Sequence, residues 1–130
     1  MIGLDTTALI DLLRNDPALL LVLGRLQGEF VTTAINQQEI YFGLDTTRAD
    51  HQDEEQYYDS LFRNLVVYPL EINGVKRASE IFWKLKKKVS GPGKFDCMIS
   101  GVLLSNRVDT VLTKNVKHFE KIPGLKVVGY

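Results

Sequence analysis

The chain has very little cysteine and no long apolar segment, and these two absences exclude some classes of protein. Its 130 residues include one cysteine, Cys97, so a disulfide framework within the chain is excluded. The longest evident apolar run, residues 18–23, has six residues, far fewer than the roughly 20 that a membrane-spanning helix needs. The first residues show neither a basic region nor a signal cleavage site, so we expect no secretory signal and a reducing, cytoplasmic location.

Internal repeats and low-complexity tracts are also absent from the sequence. The composition, 45% apolar and 25% charged, is ordinary for a globular protein. A length of 130 residues is enough for one hydrophobic core. We therefore expect a single domain covering residues 1–130, with no membrane association.

The chain lacks net charge, yet its charges are unevenly distributed. Residues 1–75 carry four basic and twelve acidic side chains, and residues 76–130 carry twelve basic and four acidic, giving net charges of −8 and +8. Such a division suggests a polyanionic or acidic partner for one face. Taken alone, the lysines at 84 and 86–88 fit a solvated helix face better.

Short apolar runs alternate with helical patterns along the chain, which predicts βα units around a mainly parallel sheet. Six or seven helices are expected. The five expected strands lie at residues 2–4, 29–32, 66–68, 110–112 and 126–128.

Several helix boundaries can be predicted from capping residues. Thr6 or Thr7 is expected to cap the first helix, Asp16 with Pro17 starts the second, and Thr33 caps the third. Residues 45–56 are polar and acidic and are predicted to be a loop or a frayed helix start.

Two later helices are predicted from apolar spacing, with a break at residues 90–93 before the next helix. The first has a stripe of Tyr57, Leu61 and Leu65, and the second has a stripe of Val75, Ala78, Phe82 and Leu85.

Asp5 is the most informative residue, because it lies where a short apolar run passes into a helical pattern. A carboxylate at that junction lies at the carboxyl edge of the sheet, where open α/β folds form their sites. Glu39 and Asp96 are two further acids at positions predicted to face inward. Three converging carboxylates repel one another at neutral pH unless a dication or bound protons compensate, so the trio indicates a cation site.

Each other member of this group is a weak signal by itself. Glu39 shares a helical stripe with Ile35 and Phe42, but alone it fits an acid that reaches water at the edge of the stripe. Asp96 lies in the first turn of a helix, where the helix dipole favours a carboxylate whatever its function. Its neighbour Cys97 is interpreted as core packing.

Thr113 and Asn115 follow the strand at residues 110–112 and offer neutral oxygens to a water or a metal-bound ligand. In isolation they fit turn and cap residues.

Together these segments resemble the PIN domain family. The resemblance rests on Asp5-Thr6 after the first strand, Glu39 on a mid-chain helix, and the segments at residues 95–99 and 112–115. More narrowly, residues 4–14 and the tail at 115–119 and 122–125 resemble the VapC-type toxin ribonucleases of prokaryotic toxin–antitoxin pairs. The resemblance extends over essentially the whole chain.

The resemblance implies a three-layer α/β/α domain with a mainly parallel sheet of about five strands. It also implies a Mg²⁺ or Mn²⁺ site that hydrolyses RNA to leave a 5′-phosphate and a 3′-hydroxyl. The implied partners are an RNA substrate, a second copy of the chain in a homodimer, and an antitoxin whose tail covers the acidic site.

Asp5, Glu39 and Asp96 match the family's acidic positions, and Thr6 matches its small hydroxyl neighbour. We assign Asp5 and Asp96 as the main metal ligands, and Glu39 as a ligand through water or a residue that positions the nucleophile. Thr6, Thr113 and Asn115 are expected to orient the groups around the ion.

Asn115 falls where many members have aspartate, which leaves open whether one or two ions bind. His118 falls at a variable position and is interpreted as a surface helix residue.

Other enzyme classes fit less well. A haloacid-dehalogenase-like phosphatase needs a second aspartate two residues after the first, where this chain has Thr7. A receiver domain needs an acidic pair near the end of the first strand, and residues 91–94 lack the spacing of a P-loop. The alternative from another class is a catalytically inactive PIN-like module that binds RNA or protein, which Asn115 leaves open.

Overall fold

The computed structural model describes residues 1–86 and 91–130. Within them lie five strands and seven helices in alternating order. In chain order the elements are β1 (Ile2–Leu4), α1 (Thr6–Leu13), α2 (Pro17–Arg25), β2 (Phe30–Thr33), α3 (Ala34–Phe42), α4 (Ala49–Asn64), β3 (Val66–Tyr68), α5 (Ile72–Leu85), α6 (Lys94–Ser105), β4 (Thr110–Leu112), α7 (Val116–Phe119) and β5 (Lys126–Val128).

The five strands form one sheet in the order β3-β2-β1-β4-β5, with every pairing parallel. The central strand β1 is buried along its length, and its Gly3 is in register with Val31 of β2 and Val111 of β4. Since all strands run the same way, the residues that follow β1, β2 and β4 meet at one edge of the sheet. The predicted parallel sheet is confirmed.

Helices cover both faces of the sheet, which makes the domain three-layered. Side chains of α5, α6 and α7 pack with Val111 in one apolar cluster, while side chains of α1 to α4 pack with Leu112 in the other. Consecutive residues of a strand point to opposite faces, so one short strand contributes to both clusters. The predicted α/β/α architecture is thus confirmed.

Two glycines allow α6 to pack closely. A Cβ atom on Gly3 would lie 2.8 Å from Leu103 of α6, and one on Gly101 would lie 2.6 Å from the backbone nitrogen of Ala78. A side chain at 101 would push α6 away from the backbone of α5, whereas one at 3 would force the Leu103 side chain to move. Because Asp96 is carried by α6, this close packing also sets its distance from the sheet edge.

Two capping predictions are confirmed and one is wrong. Asp16 accepts a hydrogen bond from the backbone N–H of Leu19, and Thr33 accepts one from the N–H of Asn36. At α1 the N-cap residue is Asp5 rather than Thr6 or Thr7, and its side chain makes no capping bond. The reason is that other elements bind this carboxylate. Strand β2 also begins and ends one residue later than predicted.

The helix α4 starts at Ala49, inside the segment predicted to be a loop or frayed start. Its fully buried residues, Tyr58 and Phe62, both lie in its second half, so the first turns show no apolar spacing that could reveal a helix. Tyr57, expected on the buried stripe, is 36% exposed.

The buried face of α5 is rotated from the predicted stripe. Gly74, Ala78, Ile81 and Leu85 are buried, whereas Val75 is 41% exposed. Because the residues at 74 and 78 are small, α6 can pack closely against them. They therefore determine which face of α5 is buried against α6. Of the lysines at 84 and 86–88, Lys84 and Lys86 are exposed. Lys87, Lys88 and position 90 of the predicted break lie outside the described residues.

Among the described helices, none has the length and hydropathy of a membrane span.

Candidate active site

The candidate site lies at the carboxyl edge of the sheet, and Asp5 lies at its centre. Asp5 follows β1 and is only 4% exposed. Its Oδ2 accepts hydrogen bonds from the Thr113 hydroxyl at 2.7 Å and the Thr7 hydroxyl at 3.3 Å. Its Oδ1 accepts a bond of 3.2 Å from the side-chain amide of Asn36. Donors from α1, from α3 and from the residue after β4 therefore fix one carboxylate.

Glu39 projects from α3 toward the same edge. The hydroxyl of Thr6 donates a hydrogen bond of 2.6 Å to Oε1 of Glu39. Burial raises the pKa of Glu39 above 4.5, the Thr6 hydrogen bond opposes this shift, and the charges of Asp5 and Asp96 add to it. The free energy of ionising Glu39 is thus increased by the two other acids.

Asp96 lies in the first turn of α6, where its Oδ2 accepts the backbone N–H of Gly93 at 3.2 Å. The Nδ1 atom of His118 lies 3.3 Å from the same oxygen. Burial raises the pKa of Asp96 above 3.8, His118 and the Gly93 N–H oppose the shift, and the charge of Asp5 adds to it. The raised pKa values of Glu39 and Asp96 share two causes, burial and a nearby carboxylate.

His118 was interpreted from the sequence as a surface residue. Its side chain is indeed 55% exposed, but it contacts Asp96 and lines the same cavity as the acids. The position of α7 after β4 places it there, and the spacing in sequence gave no sign of this contact.

One open cavity of about 570 Å³ contains most of the predicted site residues. Thr113 is the exception, since it is fully buried beneath the cavity floor against Asp5. It also accepts a hydrogen bond of 3.0 Å from the backbone N–H of Asn115. The residues that line the cavity are Asp5, Thr6, Thr7, Glu39, Gly93, Lys94, Phe95, Asp96, Asn115 and His118.

The acids share a cavity without forming a tight cluster. Within residues 1–86 and 91–130, no three His, Cys, Asp or Glu side chains are grouped closely enough to form a ready-made metal site. Two of the acids are held by local hydrogen bonds, since Thr6 donates to one oxygen of Glu39 and the Gly93 N–H donates to one oxygen of Asp96.

Asn36, which was not among the predicted site residues, is fully buried and contacts two of them. Its amide donates to Asp5 and, at 3.1 Å, to the Thr6 hydroxyl, while Thr33 donates to its oxygen at 2.8 Å. The available signal was its spacing of three from Glu39, which places both on one side of α3.

A second set of missed residues lies behind the site. Asp11, only 6% exposed, accepts hydrogen bonds from the Tyr130 hydroxyl at 2.7 Å and from Lys114 Nζ at 3.3 Å. The backbone N–H of Lys114 donates to Thr7 at 3.0 Å. These contacts attach the segment carrying Thr113 to α1. Asp11 lies four residues after Thr7, on the same face of the helix.

Another cavity, of about 320 Å³, lies between α5 and α6 and is lined mainly by apolar side chains such as Val75, Phe82 and Met98. Because no carboxylate lines it, we do not associate it with the acidic site.

Comparisons with known proteins agree with this architecture. A chain of the crystal structure of VapBC2 from Rickettsia felis, bound to a promoter DNA fragment, superposes with a TM-score of 0.84 at 19% identity, covering 100% of this chain and 99% of that one. A chain of VapBC-1 from nontypeable Haemophilus influenzae gives 0.81 at 23% identity, covering 99% and 98%. A chain of a toxin–antitoxin complex from Klebsiella pneumoniae gives 0.76 at 22% identity, covering 98% and 96%.

At such identities these structural similarities establish the fold. A comparison with curated protein sequences gave no match. The family model described as the PIN domain matches residues 2–125, nearly the whole chain. This chain belongs to the PIN domain family.

Proposed function

We propose that this chain is a Mg²⁺- or Mn²⁺-dependent endoribonuclease and the toxin of a type II toxin–antitoxin pair. The observation that carries the proposal is that Asp5, Glu39 and Asp96, from three separate elements, line one cavity at the carboxyl edge of the sheet. The pKa values of Glu39 and Asp96 are both raised, in part by neighbouring carboxylate charge. Perturbed acids in a cleft are typical of functional sites.

The donor set fits Mg²⁺ or Mn²⁺. Carboxylate oxygens suit these ions, and Mg²⁺ commonly binds one or two carboxylates while keeping several waters. Acids that share a cavity without forming a tight three-ligand cluster are compatible with an ion bound by one or two carboxylates and several waters. We assign Asp5 and Asp96 as the direct ligands. Burial and, to a lesser degree, the charge of Asp5 raise the pKa of Asp96, and a bound dication would offset both effects.

A bound ion would supply a water of lowered pKa and would stabilise negative charge on the phosphodiester. The protein's own groups provide orientation. Thr113, Thr7 and Asn36 hold the two oxygens of Asp5 in place. Hydrogen bonds of this kind, from residues that do not bind the ion themselves, set the orientation of a ligand carboxylate.

We assign Glu39 as the residue that positions the attacking water. Its Oε1 accepts the Thr6 hydroxyl, so Oε2 is the oxygen available to accept a hydrogen bond from that water. A raised pKa makes Glu39 a better proton acceptor than an ordinary carboxylate. Asn115, at the cavity wall, would orient the substrate or a bound water. Hydrolysis would leave a 5′-phosphate and a 3′-hydroxyl.

The proposed protein partners are an antitoxin and a second copy of the chain. The similar structures include toxin–antitoxin complexes, which supports an antitoxin partner here. An arginine from its tail would complement the acidic cavity. For the homodimer we propose the face around the apolar cavity, where Ile72 and Trp83 are 64% and 66% exposed. We place the pair in the cytoplasm.

The test is cleavage of a generic RNA by the purified chain with Mg²⁺ or Mn²⁺, with and without chelator. Asp96→Asn should be inactive, and Asp53→Asn, which changes an exposed aspartate on α4, is the matched control and should cleave normally. Metal-independent cleavage, or an active Asp96→Asn protein, would contradict the proposal. Metal-dependent RNA binding without cleavage would instead favour the catalytically inactive binding module.

A further inference from the structure

We propose that Phe95 is a base-stacking residue that holds an unpaired nucleobase of the RNA beside the phosphodiester to be cut. This inference rests on the proposed nuclease function and adds a specific substrate contact to it. Phe95 immediately precedes Asp96 in the first turn of α6, and its side chain lines the cavity that contains the acids.

The position of Phe95 distinguishes it from the rest of α6. The helix contributes Cys97, Ile99, Val102 and Leu103 to the interior, but Phe95 is 52% exposed and belongs to neither apolar cluster. In the described part of the chain its ring makes no contact with another aromatic ring or with a cation. About half of Phe95 therefore stays in water outside the two apolar clusters, although leaving apolar surface in water is unfavourable.

The surroundings of the ring match the parts of a nucleotide. A nucleobase offers a flat π-face for an aromatic ring, and such stacking tolerates any base. The carboxylates that line the same cavity would hold the proposed ion, which would bind a phosphate. Lys94 also lines this cavity and can pair with a neighbouring phosphate. Its ammonium lies 5.8 Å from the centre of the Phe82 ring, a cation–π contact that restrains it.

If Phe95 stacks on a nucleobase, the RNA must present an unpaired base at this position. Bases inside a duplex are already stacked on their neighbours, so the ring can accept a base only where the strand is unpaired or locally opened. Phe95 would then select accessible nucleotides next to the acids without selecting a particular sequence.

The experiment measures binding of a short single-stranded RNA and of the matching duplex, with Ca²⁺ in place of Mg²⁺ to limit cleavage. Phe95→Ala should weaken binding of the single strand by about 5- to 150-fold, the range expected for loss of one stacked base. Phe95→Tyr should restore most of it. Phe42→Ala is the matched control, because Phe42 is a 74% exposed phenylalanine that does not line the cavity, and its affinity should stay at the wild-type value.

A second readout observes stacking directly. Phe95→Trp should show fluorescence quenching when the single strand is added, beyond any change seen in the wild type, whose single tryptophan is Trp83. An abasic nucleotide at the cleavage position should abolish the quenching. Mn²⁺ affinity of Phe95→Ala should match that of the wild type, because an apolar ring offers no oxygen ligand to the ion.

Wild-type affinity in Phe95→Ala, absent quenching in Phe95→Trp, or an equal loss of duplex binding would each overturn the stacking role while leaving the nuclease proposal intact. A wild-type chain that neither binds nor cleaves RNA would overturn both.

Discussion

The Thr113 hydroxyl donates a hydrogen bond of 2.7 Å to Oδ2 of Asp5, joining two buried residues that are 108 positions apart in the chain. The contact exists because β1 and β4 are neighbouring parallel strands, with Leu4 in register with Leu112. Both residues are the first to follow their strand. The pairing of the strands therefore positions a proposed metal ligand and the donor that orients it.

The contact between Asp5 and Thr113 predicts a graded effect on cleavage. Thr113→Val removes the donor with little change in shape, so cleavage and Mn²⁺ affinity should fall about 10- to 100-fold. Thr113→Ser keeps the hydroxyl and should retain most activity. Titration of Mn²⁺ alongside a cleavage assay checks both. Equal activity of the valine and serine variants would show that the hydroxyl does not orient Asp5.

Replacing Asp96 with asparagine should separate activity from folding. The amide oxygen can still accept the Gly93 N–H at the start of α6, so the fold should be retained. Loss of the charge should lower cleavage by more than the roughly 100-fold expected for an outer contact. Without metal the variant should melt no lower than the wild type, because removing the cost of a buried charge and its repulsion with Asp5 offsets the lost attraction to His118. A variant that loses activity only because it unfolds would melt well below the wild type.

From the raised pKa of Glu39 we expect the stability of the metal-free protein to depend on pH. Its pKa is raised above 4.5, so the folded state binds this proton more tightly than the unfolded chain does. The stabilisation from protonated Glu39 is therefore fully present below about that ordinary value and is lost as the pH rises through the raised pKa.

Glu39→Gln stays neutral, so its melting temperature relative to the wild type should increase as the pH rises toward neutrality. Added Mg²⁺ should reduce the difference. Thermal melting of both proteins over a pH series, with chelator or with Mg²⁺, measures this. A difference that does not change with pH would mean that Glu39 ionises as freely as an exposed carboxyl group.

The hydrogen bond between Tyr130 and Asp11, behind the site, is expected to stabilise the folded state. Burial and the hydrogen bond to Asp11 raise the pKa of the Tyr130 hydroxyl, which keeps it protonated as a donor. Tyr130→Phe should lower the free energy of unfolding by about 1.5–3 kcal/mol, the range for a hydrogen bond to a charged group. Chemical denaturation measures this loss, and Tyr57→Phe, on the partly exposed face of α4, serves as the control.

The lysines beside the cavity predict the salt dependence of RNA binding. Lys94 lines the cavity, whereas Lys84 is exposed on α5 and does not line it. Lys94→Gln should reduce the slope of log affinity against log salt by about 0.7, the value for one single-strand phosphate contact, and Lys84→Gln should leave it unchanged. Affinity measured in Ca²⁺ over a salt series tests both. A reduced slope for Lys84→Gln would extend the RNA path to the lysine cluster at residues 84–88.

The sequence by itself was sufficient for the strands, the layers and the family resemblance. Apolar runs such as residues 2–4 reveal buried strands, and Asp16-Pro17 marks a helix start, because these signals are local and depend only on neighbouring residues. The same local signals placed Asp5 at a strand end, and hence at the edge of the sheet where a site was expected.

Which side chains meet at that edge depends on how the elements pack. Helical spacing relates Asn36 to Glu39 and Asp11 to Thr7, but it does not reveal the partners of these side chains on other elements. The contacts of Asn36 with Asp5, of Asp11 with Tyr130 and of His118 with Asp96 depend on strand order and helix packing. The rotation of α5 has the same origin, because the close approach at Gly101 buries Ala78 and leaves Val75 in solvent. Periodicity shows that a helix has an apolar face, but the neighbouring helix determines which residues that face includes.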